Sequence, residues 1–138
     1  MSQVPNRHTG KSEHDISDLA QISVIIVDDD EAVRDSLSVM LMLAGLQVEA
    51  CASCAACLSK LEDYEPDCLV VDLHMPQMTG LEMIEKLYES GRKIPAILIS
   101  GNLDDATRVT ADKIGISTAL KKPFSGDQLV AAIRGLFG

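Results

Sequence analysis

ISVIIVDDD, residues 22–30, is a short apolar run rich in β-branched side chains and closed by three acids, Asp28, Asp29 and Asp30. A bounded run of this length suits a strand buried on both faces, as in parallel sheets covered by helices. Asp30 is placed to cap a helix whose inward stripe is Val33, Leu37, Met40, Leu41 and Ala44, with Gly45 as its stop. One β–α step results.

The same alternation recurs downstream with short connections. Residues 46–50 read as a strand, and Ser53 caps a short helix carrying Cys57, Leu58 and Leu61. A strand over 68–71 ends at Asp72, and Leu81, Ile84, Leu87 and Tyr88 mark the next helix. A strand over 96–99 ends at Ser100. Asp104 caps a weaker helix reaching Lys113, with Ala106, Val109 and Lys113 on one side, before a short strand at 118–120. The last helix has the clearest start: Ser125 as cap, Gln128 three residues on, and Phe124 and Leu129 placed as a staple. Val130, Ile133, Leu136 and Phe137 join Leu129 on its apolar face. Strands and helices in strict alternation predict an α/β fold, a parallel sheet sandwiched between helices by right-handed crossovers. Residues 1–21 are polar and without period, and read as a flexible extension before one domain over 22–138.

Composition narrows the function. The 138 residues fit one domain, large enough to need neither disulfides nor a structural metal. The net charge of −9 opposes phosphate-backbone contacts, so direct nucleic-acid binding is not expected. No apolar run approaches transmembrane length, no charged leader with an apolar core opens the chain, and the cytosol is the expected compartment. Cys51, Cys54 and Cys57 are spaced three apart and Cys68 follows, but Leu61 and Glu62 stand where an iron–sulfur motif needs cysteine and proline. Buried structural thiols are the favoured reading, with metal ligation and redox sensing as alternatives.

Ligands of open α/β sheets bind beyond the carboxyl ends of the strands. There the sequence delivers Asp28 to Asp30, Asp72, Ser100, and Lys121 with Lys122. Each alone is ordinary: acids in a turn, a Ser-Gly turn pair, solvated lysines. Their convergence on one rim is harder to obtain from bland surface placement. Crowded carboxylates must take up protons or recruit a cation, and oxygen ligands suit Mg²⁺, or Mn²⁺ in its place. Asp28 or Asp29 with Asp72, completed by the backbone carbonyl of His74, is the expected metal set. The first loop lacks glycine, which excludes the common nucleotide-binding loops. Phosphoryl chemistry on an acid remains, with Asp72 as nucleophile, Ser100 donating a hydrogen bond to the phosphoryl group and Lys122 supplying positive charge.

The segments Val27-Asp28-Asp29-Asp30, Val71-Asp72-Leu73-His74-Met75-Pro76 with Met78-Thr79-Gly80, Ile99-Ser100-Gly101 and Lys122-Pro123-Phe124, in this order and spacing, resemble receiver domains of two-component response regulators, particularly the nitrogen-fixation and nitrogen-control type. The resemblance implies a flavodoxin-like sheet of order 2-1-3-4-5. It implies that Asp72 accepts phosphate from a histidine kinase or phosphotransfer protein, that Asp28 and Asp29 hold Mg²⁺, that Ser100 is the switch hydroxyl, and that a cis bond before Pro123 aims Lys122. It also implies self-catalysed phosphorylation and dephosphorylation of the aspartate rather than ordinary enzymatic turnover.

One residue departs from the pattern. An aromatic usually stands three positions before the lysine, and this chain has Ala119. The expected output surface is the fourth helix, fifth strand and fifth helix, toward an output domain or target protein not identified by the sequence, or a homodimer partner. Two other functions stay open: a phosphorylation-independent binding module, which Ala119 favours, and a phosphomonoester hydrolase, which an absent substrate pocket disfavours.

Overall fold

The computed structural model describes residues 22–116 and 118–137, so the extension expected over 1–21 lies outside the described residues. Strands β1 (Ser23–Val27), β2 (Gln47–Cys51), β3 (Cys68–Asp72), β4 (Ala96–Ser100) and β5 (Thr118–Lys121) alternate with helices α1 (Glu31–Leu43), α2 (Cys54–Leu61), α3 (Gly80–Glu89), α4 (Asp105–Ile114) and α5 (Gly126–Phe137). The sheet is parallel throughout, in the order β2-β1-β3-β4-β5. This is the expected architecture, with strand ends shifted by a residue or so.

Period-two alternation in the central strands divides the core into two layers. Val24, Ile26, Val70, Ile97 and Ile99 face Leu37 and Leu41 of α1 and Leu129 and Ile133 of α5. Ile25, Val27, Leu69, Val71 and Leu98 face α2, α3 and α4. Each large aliphatic side chain buried this way contributes about 1.5–3 kcal/mol, enough to set which face each helix covers.

Local chemistry starts and stops the helices. The Asp30 and Ser53 side chains accept the N–H groups of Val33 (3.1 Å) and Ala56 (3.0 Å). Asp104 accepts that of Thr107 at 2.8 Å. Ser125 and Gln128 form the reciprocal pair expected of a capping box. A second such box, Thr79 with Glu82, opens α3. Each cap contributes about 1 kcal/mol.

On α4, Ala106, Val109 and Lys113 share one side as expected, and it is the outward one: Val109 is 52% exposed, and Ala111 is the buried residue. The inward stripe is Thr107, Ala111 and Ile114, of which only Ile114 is strongly apolar. Phe137, expected on the apolar face of α5, is partly exposed at the helix end.

Candidate functional site

Four strand ends meet through the ladder. Val27 pairs with Val71, Asp72 with Ile99, and Ser100 with Lys121, so the residues following β1 and closing β3, β4 and β5 share one rim. α3 begins hard against it. A Cβ on Gly80 would stand 2.6 Å from Val71 Cγ1 and 2.7 Å from the Asp72 carbonyl oxygen, so only glycine lets the helix start there.

Asp28, Asp72 and Ser100 are the buried polar or charged residues among those described. Asp28 Oδ1 accepts the Asp30 N–H at 2.9 Å, while Oδ2 is buried without a hydrogen bond. Asp72 Oδ1 accepts the His74 N–H at 2.9 Å and Oδ2 accepts from Lys122 Nζ at 3.2 Å. Lys122 Nζ also lies 3.6 Å from Asp28 Oδ2. The Lys122 backbone N–H donates to the Ser100 carbonyl at 2.7 Å, which fixes where the lysine stem leaves β5, and the Lys122-Pro123 bond is cis. Ser100 Oγ accepts the Asn102 N–H at 2.9 Å, a role that uses a lone pair and not the hydroxyl proton.

Carboxylate oxygens of Asp28, Asp29 and Asp72 lie within 4.8 Å of one another. At that separation two unscreened carboxylates repel by about 3 kcal/mol for an effective dielectric of about 20. Burial raises the Asp28 pKa; the Asp30 N–H works against this and the Asp72 charge adds to it, leaving it above the usual aspartate value. Burial works against the Lys122 ammonium, yet its hydrogen bond and ion pairing with Asp72, joined by Asp28, raise its pKa above the ordinary lysine value. Three carboxylates against one ammonium leave a formal charge of minus two. The orphaned Asp28 oxygen and this all-oxygen donor set fit a hard divalent cation.

Asp28, Asp29, Asp72 and Lys122 are therefore brought together as the sequence predicts, and Ser100 sits on the same rim. His74 is exposed beside it, tied to Asp72 through its N–H. Sequence reasoning missed Arg34, whose guanidinium donates to the Asp28 carbonyl at 2.9 Å and so holds the acidic turn from α1. Its signal was a lone cation in the first turns of a helix following three acids. All four cysteines are buried free thiols.

An open parallel sheet of order β2-β1-β3-β4-β5, with acids, a hydroxyl and a lysine on its carboxyl rim, defines a flavodoxin-like fold. The chain belongs to the response regulator receiver domain family, whose match covers residues 24–134. It is 43% identical over 115 residues to the response regulator protein TmoT of Ectopseudomonas mendocina, covering 83% of this chain and 52% of that one. It is 36% identical over 117 residues to the transcriptional regulatory protein FixJ of Azorhizobium caulinodans, covering 85% and 56%. The crystal structure of FixJ-N superposes with a TM-score of 0.76 at 38% identity, covering 82% of this chain and 90% of that one. The chain thus spans about half the length of the curated relatives it matches, and FixJ among them agrees with the nitrogen-fixation flavour of the sequence resemblance. No described helix is long and apolar enough to cross a membrane.

Proposed function

We propose that this chain is a Mg²⁺-dependent phosphoacceptor that takes a phosphoryl group from a histidine kinase or phosphotransfer protein onto Asp72. The observation that carries this reading is the buried Asp28 oxygen beside Asp72, which has no hydrogen bond and meets Lys122 only across 3.6 Å. Evenly compensated structural acids would leave no such deficit.

Asp28, Asp29, Asp72 and the His74 carbonyl would hold the ion. Bound Mg²⁺ supplies charge neutralisation for the phosphoryl oxygens. An Asp72 oxygen attacks phosphorus, a new P–O bond forms, and the P–N bond to the donor histidine breaks, its electron pair leaving with the imidazole. Lys122, already paired with Asp72, moves its ammonium to the incoming phosphoryl oxygens, and the Ser100 hydroxyl donates to another. Hydrolysis of the acyl phosphate then returns free Asp72 and inorganic phosphate. The compartment proposed for this reaction is the cytoplasm, where the donor kinase's phosphorylated histidine would meet this chain.

The added charge of about −1.5 to −2 is read through the α4–β5–α5 face, toward an output domain, target protein or second copy. Ala119 has no side-chain rotamer to switch, so displacement of the loop after Ser100 carries the signal. The competing reading, a binding module indifferent to phosphate, rests on Ala119 alone.

The test is Mg²⁺-dependent labelling with a small phosphodonor, followed by acyl-phosphate mapping. Label on Asp72, lost in Asp72→Asn, is the expected result. Absence of label where a control receiver labels, or equal label in Asp72→Asn, overturns the assignment.

A further inference from the structure

Arg34 is a cation where helix chemistry disfavours one. It is the fourth residue of α1, in the N-terminal turn whose free N–H groups and dipole favour negative charge. What it reaches explains its place. Helical side chains lean toward the amino end of their helix, and this one, half-buried, runs back past Asp30 to donate from Nη1 to the Asp28 carbonyl at 2.9 Å. Its backbone N–H meanwhile donates to the Asp30 carbonyl at 2.9 Å, so one residue grips the acidic turn at two points.

The tether completes the restraint of Asp28. The Asp28 N–H donates to the Cys51 carbonyl at 3.1 Å, Oδ1 accepts the Asp30 N–H at 2.9 Å, and Arg34 holds the carbonyl. Oδ2 is left without a hydrogen bond on the rim shared with Asp29 and Asp72. The carbonyl that Arg34 holds belongs to the planar peptide unit joining Asp28 to Asp29. Fixing that plane fixes how the two acids stand to each other. Without the tether the plane is free to turn, and carboxylates within 4.8 Å of one another repel, so the acids would splay.

We propose that Arg34 is a positioning residue for the cation site: by holding the Asp28–Asp29 peptide plane it keeps the acids converged and raises their affinity for a hard divalent cation. This rests on the reading of Asp28, Asp29 and Asp72 as the ligand set. Arg34 acts on that set through the main chain alone. Groups that orient metal ligands from behind in this way typically contribute about 10–100-fold in affinity.

Arg92 supplies the control. Its guanidinium also grips a main-chain carbonyl, that of Leu61 at 2.7 Å, and pairs with Glu65 at 2.9 Å. It stands between α3 and β4, at the amino end of the sheet and away from the acids. Removing either arginine costs a charged hydrogen bond to the backbone; only removal of Arg34 loosens the acidic turn.

Titrating the 138-residue chain with Mg²⁺ and following the amide resonances of Asp30 and His74, which bond the Asp28 and Asp72 carboxylates, reads affinity without any phosphorylation. Arg34→Ala should weaken Mg²⁺ binding about 10-fold or more, Arg34→Lys should fall between it and wild type, and Arg92→Ala should match wild type. In labelling of Asp72 with a small phosphodonor, the half-saturating Mg²⁺ concentration of Arg34→Ala should rise by the same factor while the rate at saturating Mg²⁺ stays near that of wild type. A purely structural arginine would lower the urea midpoint and leave Mg²⁺ affinity unchanged, which overturns the proposal; so does equal weakening in Arg92→Ala. Should Arg34→Ala not fold, Arg34→Met, which keeps the apolar stem and removes every donor, makes the same comparison. A wild-type chain whose resonances ignore Mg²⁺ removes the ligand-set reading and this inference with it, whereas tight binding in both wild type and the Arg34 variant removes this inference alone.

Discussion

The two ends of the sheet treat an aspartate in opposite ways. At the amino end, Asp67 precedes β3 and its Oδ2 accepts both the Ser23 N–H (2.8 Å) and the Ser23 hydroxyl (3.2 Å), while its own N–H donates to Ser23 Oγ at 3.1 Å. That acid ties β1 to β3. At the carboxyl end, Asp28 and Asp72 are pressed together, and Asp28 keeps one oxygen buried without a hydrogen bond. Buried polar groups are normally satisfied, so the exception marks the end where the fold holds charge for use rather than for cohesion. The lesson is that the same residue type is structural or functional according to its unmet valence.

Substitution at the two ends should separate these roles. Asp28→Asn with Asp29→Asn removes two of three clustered carboxylates, and we expect Mg²⁺-dependent labelling of Asp72 to fall about 100-fold or more, since a metal's charge stabilisation is worth several kcal/mol. The same double variant should unfold at equal or higher urea concentration in metal-free buffer. Labelling unchanged by the double substitution would erase the distinction between the ends. Asp67→Ala should do the reverse, costing about 1–3 kcal/mol of stability for its lost hydrogen bonds while leaving the labelling rate of the folded protein intact.

Much of this contrast was legible in the sequence because strand ends are marked by abrupt change, apolar run to acid at Val27-Asp28 and Val71-Asp72, apolar run to hydroxyl at Ile99-Ser100. What pairs with what was not. The Asp67–Ser23 tie spans 44 residues, and nothing local in either segment announces it. α4 was illegible for another reason: Thr107 and Ala111 face inward with Ile114 while the more apolar Val109 faces out, so hydropathy does not show which side packs.

Stability against pH offers a finer probe. The Asp28 pKa is raised in the folded protein, so the native state binds that proton more tightly than the unfolded chain does. Metal-free stability should therefore increase as pH falls from neutral through the Asp28 pKa, and Asp28→Asn should flatten that limb. Lys122 acts at the other extreme: its raised pKa contributes stability below the ordinary lysine value of 10.5, lost as pH rises through the folded value. Urea midpoints of wild type and Asp28→Asn across pH, with and without Mg²⁺, check both signs; a metal-free wild-type midpoint that gains no more on acidification than that of Asp28→Asn would contradict the Asp28 account.

The smallest effect tests whether the carboxyl end also holds backbone strain. Gln77, in the loop between Asp72 and α3, has φ +67°, a left-handed conformation that costs a side-chain-bearing residue about 1–2 kcal/mol. Gln77→Gly relieves that cost but gives the unfolded chain more freedom, worth about 0.5–1 kcal/mol in the other direction. The two nearly cancel, so the expected net gain is below about 1 kcal/mol, read as a slightly higher urea midpoint with no change in the labelling of Asp72. A clear loss of stability would mean that the Gln77 side chain contributes more than its backbone costs. The strain would then be compensated within the loop itself, leaving the orphaned Asp28 oxygen as the feature that sets this end of the sheet apart.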